Sequence, residues 1–132
     1  MEMEVEVMGM RPITLLDALE DPRLFGPLFQ GDGWEAWRAF LAAVFGLPMT
    51  ERQATLYRRH TGRETPPTAR AHEVWCIAGC RAGKSRMAAL LAVYVAAFRQ
   101  YREHFAPGEK ATVAVIAADR QQARVCFATS SA

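Results

Sequence analysis

Apolar residues recur at helical intervals through the first half of the chain and gather into short runs in the second. From Pro12 to Phe29 this pattern predicts a short helix capped by Thr14, ending near Asp21-Pro22 and followed by an apolar turn around Gly26-Pro27. A clearer helix is predicted from Asp32. Asp32 and Glu35 have capping-box spacing, and Trp34, Trp37, Leu41 and Phe45 repeat at helical intervals until Gly46 and Pro48 stop them. A further helix opens at Thr50 with Gln53 as its capping partner, passes through Leu56 and Tyr57, and ends at Gly62, which suits a left-handed cap. The stretch "GRETPPTARAH" reads as a linker, because two prolines among polar residues offer nothing to pack.

Past the linker the pattern changes from helices to alternating strand and helix. Glu73 to Ala78 and Ala111 to Ala118 ("ATVAVIAA") are short apolar runs of strand-forming residues. Between them, Lys84 to Tyr101 reads as a helix with Met87, Leu90, Leu91, Tyr94, Val95 and Phe98 on one face and mostly alanines on the other. A helix apolar nearly all round is expected to be buried between a sheet and covering elements. "REHFAPGEK" turns the chain back, and a strand, crossover helix and second strand of this length predict a right-handed parallel unit. Asp119 is placed to cap a further helix. The expected organisation is therefore α/β: a frayed or disordered segment 1–11, a helical region 12–62, a linker 63–72 and a partial parallel-sheet domain 73–132.

Composition narrows the class only a little. Of 132 residues, 51% are hydrophobic and 23% charged, as in ordinary globular domains. A net charge of +2, from sixteen basic and fourteen acidic residues, is too weak to be a nucleic-acid footprint and does not exclude such a partner. The three cysteines, Cys76, Cys80 and Cys126, include no CxxC pair, so no zinc site or disulfide framework is indicated and a reducing interior is expected. The opening MEMEVEVMGM lacks the basic flank and apolar core of a signal peptide. Met87 to Phe98, the longest apolar run, falls short of the roughly 20 residues needed to span a bilayer. The expectation is a soluble, intracellular protein.

The chemistry concentrates at Ala78-Gly79-Cys80-Arg81-Ala82-Gly83-Lys84-Ser85, close to the pattern GxxxxGK[ST], with alanine where the first glycine usually stands. In that pattern backbone N–H groups surround a β-phosphate, the lysine faces the β- and γ-phosphates, and the hydroxyl holds magnesium. Gly79, one residue late, is expected to supply the unusual backbone angles of the loop. The competing reading is a simple helix cap with a solvated lysine; the predicted strand before the loop and helix after it favour phosphate binding. Gly79, Cys80, Arg81, Ala82, Gly83, Lys84 and Ser85 are thus the expected nucleotide-binding residues, with Ser85 also a magnesium ligand. Arg81 reads equally as an arginine finger supplied in cis or as a loop charge offsetting phosphate. Cys80 has no base placed beside it by the sequence and reads as a small tolerated residue.

"AGCRAGKS" followed by "VAVIAADRQQAR" resembles the ATPase region of the large terminase subunit of tailed bacteriophages, the motor that packages viral DNA. Gln122-Ala123 stands where that family carries a Gln-Ala pair after a strand, and "LLDALEDPRLFGPLFQGDGWEAWRAFLAAVFGLPMTERQATLYRRHTGRETPP" is similar to the N-terminal region of a prophage-borne branch. The likeness spans Ile13 to Phe127. It implies a P-loop NTPase fold, ATP and magnesium as ligands, and a place in the bacterial host cytoplasm. For the full-length parent it implies double-stranded viral DNA, a small terminase subunit and a portal protein as partners. Arg81 matches an arginine common in terminase phosphate loops. The region of Trp34 and Trp37 corresponds in the resemblance to a stretch contacting adenine, although their helical spacing is fully accounted for by a helix core.

No apolar strand ending in Asp-Glu and no nuclease carboxylate cluster occurs in the sequence. The expectation is therefore a truncated terminase fragment that binds ATP without turning it over. The other readings are a small kinase-like phosphate-loop protein, for which no lid follows the core, and a noncatalytic remnant acting as a binding module through its helical half.

Overall fold

The computed structural model describes residues 12–98 and 104–110, together with Thr112, Ala114, Arg120, Gln121 and Arg124. Among the described residues four α-helices have defined bounds: α1 (Leu15–Glu20), α2 (Glu35–Phe45), α3 (Glu51–Thr61) and α4 (Lys84–Phe98). Short 3-10 turns at Gly26–Leu28 and Asp32–Trp34 lead from α1 into α2.

Local sequence accounts for most helix ends. The Thr14 hydroxyl accepts from the Asp17 N–H while the Asp17 carboxylate accepts from the Thr14 N–H, so α1 opens on a reciprocal capping box. Thr50 and Gln53 make the same arrangement at α3, and Gly62 closes that helix in the left-handed conformation. At α2 the expected Asp32 capping box does not form. Asp32 instead opens a 3-10 turn, α2 follows at Glu35, and the Asp32 carboxylate pairs with Arg52 at 3.2 Å.

The core lies between α1, α2 and α4. Leu15, Leu19, Phe29, Leu41, Met87, Leu90 and Tyr94 form one buried cluster, with Leu91, Val95 and Phe98 of α4 packed at its margin. The Tyr94 hydroxyl donates to the Ile13 carbonyl at 3.0 Å, and its ring meets Phe45 and Phe98. Half-buried Arg38 bonds the Phe29 carbonyl at 2.6 Å, tying α2 to the turn that precedes it.

The expected parallel sheet is corrected. Among the described residues there is no β-strand, and they form a helical assembly. The run 73–78 passes as irregular chain, with Trp75 at 86% and Ile77 at 102% exposure. Strand-like composition describes side chains that suit a half-buried pleated surface, but a strand exists only where a neighbour takes up its N–H and C=O groups. The second apolar run, 111–118, lies outside the described residues except for Thr112 and Ala114. Residues 1–11, the helix end at 99–101, Asp119, Gln122-Ala123 and Cys126 also lie outside them.

Helix α4 also departs from expectation, because it is buried on one side only. Met87, Ala89, Leu90 and Tyr94 face the core while Ala88, Ala96 and Ala97 are exposed. Alanine is the strongest helix former and loses little on either side of a surface, so an alanine-rich back need not be covered. The linker, in turn, does pack. Its Ala71 N–H donates to the Val44 carbonyl at 2.9 Å, and its backbone at Ala69 crosses Gly46, the left-handed cap of α2. No helix among the described residues is long and apolar enough to cross a membrane.

Candidate functional site

The loop 78–83 delivers the chain into the N-terminus of α4, whose first intrahelical bond runs from the Met87 N–H to the Gly83 carbonyl at 3.0 Å. The first-turn N–H groups of a helix have no acceptor within the helix, and the aligned peptide dipoles make that end positive. Two residues of the loop have left-handed backbone, Arg81 at φ 59° and Gly83 at φ 85°. The expectation that Gly79 supplies the unusual angles is thus corrected: the turn is made at Arg81, where a non-glycine residue bears the strain, and at Gly83.

Lys84 lies over the loop. Its ammonium donates to the carbonyls of Gly79 at 2.5 Å and Ala78 at 3.2 Å, drawing the two ends of the loop together. The Ala82 carbonyl accepts from the Trp37 indole Nε1 at 2.7 Å, a contact between residues 45 apart in sequence. The carbonyls of Ala78, Gly79 and Ala82 are therefore engaged by side-chain donors of the protein.

A cleft of about 640 Å³ opens beside this loop, between it and the start of α2. Arg81, Ala82, Gly83, Lys84 and Ser85 line one wall, with Arg86 beyond them, and Gly33, Trp34 and Trp37 line the other. Five of the seven residues singled out by the sequence thus border one cleft. Gly79 and Cys80 are exposed in the same loop but do not line it, and the Cys80 thiol is free.

Among the described residues three cations, Arg81, Lys84 and Arg86, border the cleft and no carboxylate does. The first turn of α4 likewise contains no acidic residue. Cations at the positive end of a helix are unfavourable by a few tenths to about 1 kcal/mol each, the reverse of the stabilisation an anion finds there. What the arrangement is suited to do is hold an anion. Ser85, exposed in the first turn of α4, has the one hydroxyl on the cleft wall and fits a metal that arrives with phosphate oxygens and water as its other ligands. Among the described residues no group of His, Cys, Asp or Glu could hold a metal independently.

Sequence reasoning read Trp34 and Trp37 as helix core. Both do pack at its margin, and both also face the loop. An ideal Cβ on Gly83 would come within 2.9 Å of the Trp34 ring, so the loop is seated directly on that indole. The Arg86 guanidinium lies 5.6 Å from the Trp34 ring centre, within cation–π range. Arg86 was findable from sequence as a basic residue in a first helical turn, against the dipole. The seating of the loop on α2 was not, because nothing in local spacing joins positions 45 apart.

No family model, curated protein or solved structure matches this chain.

Proposed function

We propose that residues 78–85, with the first turn of α4, bind the phosphate chain of a nucleotide, ATP being the one the terminase resemblance favours. The observation that carries this reading is the cleft's charge: Arg81, Lys84 and Arg86 border it at the positive end of α4, with no acidic residue on its wall among the described residues. In this reading the Lys84 ammonium exchanges the Ala78 and Gly79 carbonyls for phosphate oxygens, and Ser85 completes the shell of a magnesium ion carried in by the nucleotide. Arg81 borders the same cleft, the position from which a cis guanidinium offsets charge on a terminal phosphate. Activation of water needs a carboxylate, and none borders the described cleft.

The wider assignment, to the nucleotide-binding part of a phage terminase large subunit that packages double-stranded DNA, is supported by the sequence resemblance alone, that of "AGCRAGKS" and "VAVIAADRQQAR" together with the stretch upstream of them. Translation of the DNA downstream of codon 132 tests it. An apolar strand ending in Asp-Glu within about one domain length is expected, and its absence from every frame removes the assignment.

The phosphate site itself is tested by titrating the chain with ATP and magnesium. Replacing Lys84 by alanine removes a charge-assisted contact worth about 1.5–3 kcal/mol, so the affinity is expected to fall roughly 10- to 100-fold. An affinity indifferent to Lys84→Ala means that the lysine serves only to close the loop.

A further inference from the structure

A phosphate loop works only if its amides face the ligand, which requires its carbonyls to be held elsewhere. Because a trans peptide unit is planar with its C=O and N–H antiparallel, fixing one carbonyl fixes the direction of the next residue's N–H. The Ala82 carbonyl is fixed by the Trp37 indole Nε1 at 2.7 Å, so a side chain of α2 sets the Gly83 N–H in the direction away from Trp37. Gly83 is also seated on Trp34, whose ring leaves no room for a Cβ there, and the neighbouring Arg86 guanidinium rests over the same ring.

We propose that Trp37 is a positioning residue for the phosphate site, clamping the Ala82–Gly83 peptide so that the loop is organised before ligand arrives, with Trp34 as the floor on which the clamped glycine rests. This inference rests on the nucleotide-binding reading above and assigns the two tryptophans to the loop rather than to stacking on a base. The surroundings of Trp34 support that assignment, since the Arg86 guanidinium lies over its ring at 5.6 Å and the Phe29 ring packs against it in a T-shaped pair at 4.9 Å. A loop held in its binding geometry is spared the cost of being ordered by the ligand.

The contact predicts a specific separation of effects. Trp37→Phe keeps an aromatic ring against Phe40, which Trp37 meets edge-on at 5.4 Å, while deleting the indole donor and the pyrrole part of the ring. Affinity for magnesium-ATP and for inorganic pyrophosphate is expected to fall about three- to tenfold, the range of one net hydrogen bond, with a thermal midpoint lowered by only a few degrees. Phe40→Leu, which disturbs packing but keeps the donor, is expected to lower the midpoint at least as much and to leave the affinity within about twofold of wild type. Both ligands are titrated against the wild-type chain and the two variants.

Equal binding by wild type and Trp37→Phe overturns the clamp and leaves the phosphate site standing. Failure of the wild-type chain to bind either ligand overturns the phosphate site and the clamp with it. If Trp37→Phe does not fold, the wild-type chain still decides: the Trp37 indole N–H resonance is expected to exchange slowly with solvent and to shift when magnesium-ATP is added. Rapid exchange of that proton overturns the clamp without any substitution.

Discussion

The residue that most constrains the loop is Gly83. Its φ of 85° is costly for any side chain, and an ideal Cβ would lie 2.9 and 3.0 Å from two atoms of Trp34. Gly83→Ala is therefore expected to lower stability by about 1–3 kcal/mol and to weaken ATP binding as well, because relief of the clash lifts the loop from its seat. Chemical denaturation and a nucleotide titration on the same preparation check both halves. Loss of stability with unaltered affinity places the strain outside the binding geometry. The identity of the loop residues was legible in the sequence, since Gly83-Lys84-Ser85 declares itself by type and spacing. The position of the strained angle was not. A left-handed arginine at 81 has no sequence signature, and glycine at 79 drew the expectation to the wrong place.

At the scale of elements, helix boundaries were read well where a cap is encoded within four residues. Thr14 with Asp17 and Thr50 with Gln53 each close a short-range hydrogen-bonded box that needs no tertiary support. Asp32 with Glu35 has the same spacing, yet a 3-10 turn and the ion pair to Arg52 claim the aspartate. The strand expected at 73–78 failed for a related reason, because pairing is a property of two segments and the sequence of one cannot supply it. The linker, read as unpacked, is fixed at Gly46. There an added Cβ would fall 2.5 Å from the Ala69 backbone, in a left-handed cap at φ 62°. Gly46→Ala is expected to cost about 2 kcal/mol or more, combining left-handed strain with displacement of the linker. Faster hydrogen exchange at the Ala71 amide, whose partner is the Val44 carbonyl, is the accompanying sign. Protection of that amide in the variant contradicts the account of the linker.

For the whole molecule, one small core positions the site. Leu41 of α2 and Leu15 of α1 are fully buried, and Met87 and Leu90 bring α4 to the same cluster, so the wall carrying Trp34 and Trp37 and the wall carrying the loop are fixed to each other by shared packing. Leu41→Ala is expected to cost about 2–5 kcal/mol, a large fraction of the stability of a domain this size. Denaturant unfolding measures it, and a cost near zero means that the cluster is not what joins the helices. Because the cations of the cleft are exposed, their attraction for phosphate is expected to be screened. Binding of magnesium-ATP is expected to weaken steadily as salt is raised from low to physiological levels, and salt-independent binding argues for contacts other than these.

The central claim, that the loop and the start of α4 form an anion site, is tested most directly by mapping backbone amide resonances during a titration with magnesium-ATP. The largest shifts are expected at Ala82, Gly83, Lys84, Ser85 and Arg86, with the Trp37 indole following, and in Lys84→Ala the same shifts are expected to need roughly 10- to 100-fold more ligand. Shifts confined to another face, such as the groove between α2 and α3 lined by Asp32, Glu51 and Arg52, or no shifts at all, contradict it.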